Sequence, residues 1–170
     1  MQLTVTGTLQ SEIYTPITPP PVWTPLTKEL KDCKVALASA CGVHLKADKP
    51  FGKAGDFTHR EIPLSAKADE LMVTHGGYDN ADVNRDINCM FPYERLKELA
   101  VAGFIKSVAE VNVGFMGGGG VQDQFKTITA PAAARIPKEQ GVDICALTAG
   151  RVLCHRSATH AQREIESEGL

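Results

Sequence analysis

Cys154 lies three residues after Arg151 in the stretch ALTAGRVLCHRSATHAQREIE, which runs from Ala146 to Glu166. An apolar run ends there in Ala149-Gly150, and a helical pattern opens at or near the cysteine. A thiol in the first turn of a helix meets unpaired N–H groups and the positive end of the helix dipole. Both favour thiolate over thiol, and the nearby Arg151 and Arg156 push the same way. Such a thiolate could be a nucleophile or a redox group. The plainer reading is a buried cysteine packed under the turn. A second nucleophile three residues before a cysteine would let one group resolve a covalent bond made by the other. Arginine cannot be that nucleophile, but it can bind a carboxylate in bidentate fashion. Alternatively it is a solvated loop charge.

Other constellations are less specific. His75, Asp79, Asp82 and Asp86 gather in THGGYDNADVNRDINC, but their spacing matches neither an EF-hand nor HExxH. The favoured reading is a turn-rich loop whose Asp and Asn side chains bond their own backbone. His44 follows an apolar run, where a structural role is favoured over a substrate contact. GFMGGGG, residues 114–120, lacks both the P-loop Gly-Lys-Ser/Thr and the GxGxxG spacing, so neither phosphate fingerprint applies. Its glycines could admit a close approach by backbone, ligand or partner.

These residues need elements to position them. CKVALASACGV (33–43) and VDICALTA (142–149) read as buried strands, and SVAEVNVGFM (107–116) as an alternating one. A short strand is expected at 70–75. Residues 44–57 and 78–91 read as loops. PYERLKELAVAGF (92–104) is a helix with Pro92 in its first turn, Leu96, Leu99 and Ala100 on one face and Gly103 as its stop. Residues 121–139 look helical but fragmented by Pro131 and Pro137. Residues 154–168 form a helix with Ala158, Ala161 and Ile165 on one face. The alternation predicts an α/β fold: a mostly parallel open sheet flanked by helices, in three layers of the flavodoxin or Rossmann kind. Residues 15–25 hold five of the ten prolines and the single tryptophan, Trp23. They predict an extended arm, either anchored on the protein's own surface by Trp23 or gripping a partner. The expected organisation is an arm over 1–30 and one α/β domain over 31–170. That domain is expected to lack a C-terminal portion, because the chain stops after a helix where another strand would follow.

Composition narrows the class. Hydrophobic residues at 43% and charged residues at 22% are the balance of a soluble globular protein. A net charge of −2 gives no footprint for nucleic acid or an anionic membrane. The N-terminus lacks a secretory pattern, and no apolar run approaches the roughly 20 residues of a membrane span, so a cytoplasmic location is expected. The five cysteines are widely spaced with no CxxC pair, which argues against a disulfide scaffold or a structural zinc site.

Taken together and in order, LQSEIYTPITPPPVWTPLTKELKD, GVHLKADKPF, THGGYDNADVNRDINCMFP, GFIKSVAEVNVGFMGGGG and LTAG…CHRSA resemble the selenoprotein subunits of D-proline reductases. More distantly they resemble selenoprotein B of glycine, sarcosine and betaine reductases. The resemblance implies an oxidoreductase of amino-acid-fermenting anaerobes that opens D-proline to 5-aminovalerate in a Stickland-type reaction. It implies a partner subunit whose pyruvoyl group holds the substrate, a selenolate on this subunit that attacks the α-carbon, and a cysteine that releases the product as a selenenyl sulfide. An electron-donor protein then reduces that bond, so a hetero-oligomer is expected. No cofactor on this chain itself is implied.

In the family pattern selenocysteine follows Leu-Thr-Ala-Gly, which places it on Arg151, with Cys154 as the partner thiol. Val152 and Leu153 also replace smaller residues. The selenocysteine codon UGA is one base from the arginine codon CGA. A mutation or engineered replacement, a misassigned residue and a homologue that has dispensed with selenium therefore all remain open. With Arg151 the selenium-dependent step is expected to be absent. The family's subunits also run on past the position of Leu170. Alternatives are a reductase for glycine, betaine or another amine, a non-catalytic assembly subunit, and a thiol-based sensor or transferase using Cys154 alone.

Overall fold

The computed structural model describes residues 23–118 and 122–170. Residues 15–22 of the proline-rich arm, and residues 119–121 at the end of the glycine run, lie outside the described residues. Trp23 itself is 77% exposed. The residues just after it are tied down: Thr24 donates its N–H to a Glu166 carboxylate oxygen at 2.5 Å and its hydroxyl to the Glu166 carbonyl at 2.8 Å.

The centre of the sheet is β1, Lys34–Ser39, an apolar run of small residues buried on both faces. The remaining strands are β2 (Val43–Leu45), β3 (His59–Pro63), β4 (Leu71–Val73), β5 (Ser107–Val108), β6 (Val111–Phe115) and β7 (Ile144–Thr148). β7 lies parallel to β1 on one side, with Val35 opposite Ile144 and Ser39 opposite Thr148. On the other side β5 and then β6 run parallel to it. β3 adds antiparallel to the outside of β6, and β2 and β4 form a separate antiparallel ribbon. The class is α/β as expected, and the sheet is mixed, with β5, β6 and β7 parallel to β1 and β3 antiparallel to β6. β3 escapes the sequence pattern because HREIP carries only one strongly apolar residue, Ile62, which is the one it buries.

Among the described residues the α-helices of five residues or more are α1 (Ala81–Arg85), α2 (Tyr93–Val101), α3 (Ala130–Glu139) and α4 (Val152–Ser167). Alternation along the strands assigns the two faces. Ala38, Ala40, Val113, Phe115, Cys145 and Leu147 meet Ala133 and Ile136 of α3 and Cys154 and Ala161 of α4. Leu37, Cys41 and Ala146 face the other way, toward the β2–β4 ribbon, Val83 of α1, Phe91 and Tyr93. Helices therefore flank the sheet on both faces.

Several expectations are corrected. Residues 44–57 begin inside β2, and 78–91 contain α1 and a 3₁₀ turn at Ile87–Cys89 rather than irregular loop alone. Residues 107–116 are two strands, broken at Ala109 and Glu110. Pro131 and Pro137 do not fragment α3. Pro131 occupies the first turn, where no N–H is needed, and a π-helical turn over Phe125–Thr129 leads in. On α2, Leu96 packs inward but Leu99 is 40% exposed. β7 is half-buried throughout because, among the described residues, no strand pairs with its outer edge.

Candidate active site at the carboxyl rim of the sheet

Because β1, β6 and β7 are parallel, their carboxyl ends meet at one rim, where ligands bind in open α/β sheets. β1 delivers Cys41, β6 delivers Gly117, and β7 leads through Gly150 to Arg151 and Cys154. The ribbon adds a fourth segment, residues 74–78, which follows β4 and lies against the turn after β7.

Cys154 stands in the first turn of α4, whose N-cap Arg151 has extended backbone. Its sulfur is fully buried. Sγ donates to the Gly117 carbonyl at 3.0 Å and lies 3.3 Å from His75 Nε2. His75 is buried too, and Nε2 is 2.6 Å from the same carbonyl. Its other nitrogen, Nδ1, accepts the Gly77 backbone N–H at 2.9 Å. An amide N–H can only donate, so Nδ1 is the acceptor and the neutral ring carries its proton on Nε2. The His75 backbone N–H is fixed by Asn80 Oδ1 at 3.0 Å, and Asn84 brackets Val73 of β4 through both its amide atoms.

The glycines let these segments touch. A Cβ on Gly117 would sit 2.7 Å from Cys154 Cα, and one on Gly150 would sit 2.7 Å from the Tyr78 ring. The Tyr78 hydroxyl donates to the Cys41 carbonyl at 2.8 Å, and its ring lies 4.7 Å from that of His75. Arg151 crosses Gly77 and donates from Nη1 to the Gly77 carbonyl at 3.2 Å.

Electrostatics overturn one expectation. Burial pushes the Cys154 thiol up, and the backbone at Gly150 and Arg151 and the Arg151 charge pull it down only in part. The helix terminus does act on the thiol, but desolvation is larger, so Cys154 is a protonated thiol at neutral pH. Burial holds His75 below its ordinary value, with the Arg151 charge acting the same way and the Gly117 carbonyl opposing. Burial likewise raises Cys41, to about 11, and raises Tyr78.

Of the residues singled out in the sequence, Arg151, Cys154 and His75 come together at this rim. Asp79 and Asp86 instead cap backbone N–H groups of Ala81 and Asn88, and Asp82 pairs with Arg85. His44 is fully buried and structural, bonded to the Leu45 carbonyl and the Thr74 hydroxyl. Tyr78 escapes sequence reasoning as a site residue, whereas Gly117 belongs to the glycine run expected to admit a close approach. The one signal at Tyr78 is its adjacency to Gly76-Gly77. A groove of about 510 Å³ lies at the other end of β7, between residues 24–28 and the end of α4, away from the thiol cluster.

The fold and site define a class: an α/β protein that presents a histidine-contacted cysteine at the carboxyl rim of its parallel strands. No solved structure matches the chain. Residues 14–150 match the model of the glycine/sarcosine/betaine reductase selenoprotein B family, a span that stops one residue before Arg151. The chain is similar to the D-proline reductase subunit gamma of Acetoanaerobium sticklandii, 61% identical over 168 residues, which cover 99% of this chain and 69% of the relative. It is 27% identical to the sarcosine reductase complex component B subunit beta of Peptoclostridium acidaminophilum and 25% identical to the glycine reductase complex component B subunit gamma of Carboxydothermus hydrogenoformans. Those two matches cover 86% of this chain and 34% of each relative. The chain belongs to the glycine/sarcosine/betaine reductase selenoprotein B family, a family of oxidoreductase subunits.

Proposed function

We propose that this chain serves the reductive opening of D-proline as the subunit that presents positions 151 and 154 to a substrate held by the pyruvoyl group of a partner. The observation that carries the reading is the 61% identity, over 99% of the chain, to a D-proline reductase subunit gamma. The geometry supports it. Position 151 is the non-helical N-cap of α4, and Cys154 lies in the helix's first turn. Two chalcogen side chains at this spacing could join across one turn, and both would face the opening amides of the helix.

The residue at 151 does not fit selenium chemistry. A guanidinium can neither attack a carbon and leave again nor form a bond to sulfur that a donor protein could reduce. No selenium step runs through this chain with Arg151 in place. What the chain's own residues supply is a buried thiol, a carbonyl that accepts its hydrogen bond, and a cationic side chain laid across Gly77. The subunit works within a hetero-oligomer of pyruvoyl-bearing and electron-donating proteins in the cytoplasm. Among the described residues, no helix is long and apolar enough to cross a membrane.

The test is to replace Arg151 with selenocysteine, add the pyruvoyl-bearing partner and a dithiol reductant, and measure 5-aminovalerate formed from D-proline. Turnover is expected from the selenocysteine variant and none from the Arg151 chain. Turnover of glycine or betaine in place of D-proline would reassign the substrate. The Arg151–Gly77 contact favours a second reading, a non-catalytic assembly subunit whose rim is closed. Complex formation without turnover by the selenocysteine variant would establish it.

A further inference from the structure

We propose that His75 is the positioning residue for Cys154, holding its sulfur as a thiol and then as a thiolate by turning one N–H from the Gly117 carbonyl to the sulfur. The inference rests on the reading that Cys154 is the thiol of the reaction. In the resting arrangement two donors share one carbonyl oxygen. The Gly117 carbonyl takes the Cys154 S–H at 3.0 Å and the His75 Nε2–H at 2.6 Å. When Cys154 loses its proton to solvent, the thiolate faces a carbonyl lone pair at that same distance, and the contact becomes repulsive. His75 Nε2–H is already 3.3 Å from the sulfur, so a small turn of the ring gives the thiolate a donor. The ring remains neutral and the proton count on His75 does not change.

The surroundings commit His75 to donating rather than accepting. Its Nδ1 is occupied by the Gly77 N–H at 2.9 Å, which fixes the Nε2–H tautomer and excludes Nε2 as a base in this arrangement. The tilted Tyr78 ring lies 4.7 Å away on the ring face, and the Tyr78 hydroxyl is anchored on the Cys41 carbonyl. Among the described residues, the ionisable groups facing the sulfur are His75 and Tyr78 from residues 74–78, Cys41 after β1, and Arg151 from its own turn. Cys41 and Tyr78 are both raised by burial and are uncharged at neutral pH. Arg151 acts on the sulfur through its charge while its guanidinium donates to the Gly77 carbonyl, and His75 supplies the hydrogen bond.

The experiment reads ionisation of Cys154 in the full chain alone, without substrate or partner. Thiolate absorbance near 240 nm is titrated in the parent, His75→Ala and His75→Gln, each minus the same protein carrying Cys154→Ser. Hydrogen bonds to charged groups are worth about 1.5–3 kcal/mol, so at a fixed pH below the midpoint His75→Ala is expected to hold about tenfold less thiolate. His75→Gln, which keeps an N–H donor at a similar reach, is expected to recover most of the loss. A His75→Ala midpoint equal to the parent's overturns the proposal. A merely structural histidine would change unfolding but not this midpoint.

Where His75→Ala fails to fold, the parent itself decides. Nitrogen-15 NMR is expected to show the Nε2–H tautomer, with a resonance that moves as Cys154 ionises and does not move in Cys154→Ser. An Nδ1–H tautomer, or a resonance indifferent to Cys154, overturns the proposal. Because no D-proline enters this test, its failure leaves the substrate assay standing, and failure of the substrate assay leaves this result standing.

Discussion

Gly117 and Gly77 both lie where a side chain would collide, but they predict different outcomes. A Cβ on Gly117 would approach Cys154 Cα at 2.7 Å and the Ala40 and Cys154 Cβ atoms at 2.9 Å, all of them atoms close to backbone. Gly117→Ala must therefore lift the first turn of α4 from the end of β1. We expect it to cost about 1–3 kcal/mol in a denaturant titration, the usual range for overpacking. An unchanged midpoint would show that the turn and helix can part without strain. The three atoms nearest to a Cβ on Gly77 all belong to the Arg151 side chain, with Nη1 closest at 2.0 Å. That chain is long and half-exposed, so Gly77→Ala displaces the guanidinium and costs little stability. The same reasoning makes a shorter residue at 151 compatible with this rim.

At the scale of elements, the break between β5 and β6 creates a problem that one side chain solves. β1 pairs with β5 at Lys34 and Val35 and with β6 at Ala38 and Ser39, so the residues between lack a regular ladder partner on that side. Asn112, fully buried, fills the gap. Its Oδ1 accepts the Leu37 N–H at 2.8 Å, and its Nδ2 donates to the Ala109 carbonyl at 3.2 Å. Asn112→Ala would strand a buried donor in the central strand. A loss of about 1–3 kcal/mol is expected from the desolvated N–H alone. Chemical denaturation measures it, and hydrogen exchange should show the Leu37 amide among the least protected of β1. Asn112→Asp should also destabilise, because it keeps the acceptor but loses the donor to Ala109 and buries a carboxyl.

For the whole molecule, the buried titratable groups define a pH window. Burial depresses His59, His75 and His160 from an ordinary 6.5. A depressed histidine binds its proton more weakly in the folded chain than in the unfolded one. Its contribution to stability is complete above 6.5 and is lost as pH falls below that value. Cys41 is pushed up from 9.0 to about 11, and Cys154 is raised as well, so their contribution is complete below 9.0 and lost as pH rises toward 11. Thermal unfolding should therefore show a plateau between about pH 6.5 and 9, with a fall on either side. Cys41→Ala should flatten the alkaline limb. Retention of the full alkaline limb in that variant would assign it to the tyrosines and the other thiols.

The linear order of residues was enough to determine the α/β class, β1 and β7, the helices at 93–101 and 152–167, and the placing of Cys154 in a helix's first turn. Each of these rests on local periodicity and on glycine and proline at the ends, which act over a few residues. β3, the break at Ala109 and Glu110, the unbroken α3 and the half-exposure of β7 were decided by neighbours far along the chain. So was the state of the thiol. Helix position alone points to a thiolate, whereas the folded rim encloses the sulfur between Gly117 and His75, 37 and 79 positions away along the chain, and desolvation outweighs the helix terminus. Sequence records which groups sit on one turn. The distance between turns, and the water excluded when they close on each other, exist only once the strands have set their carboxyl ends side by side.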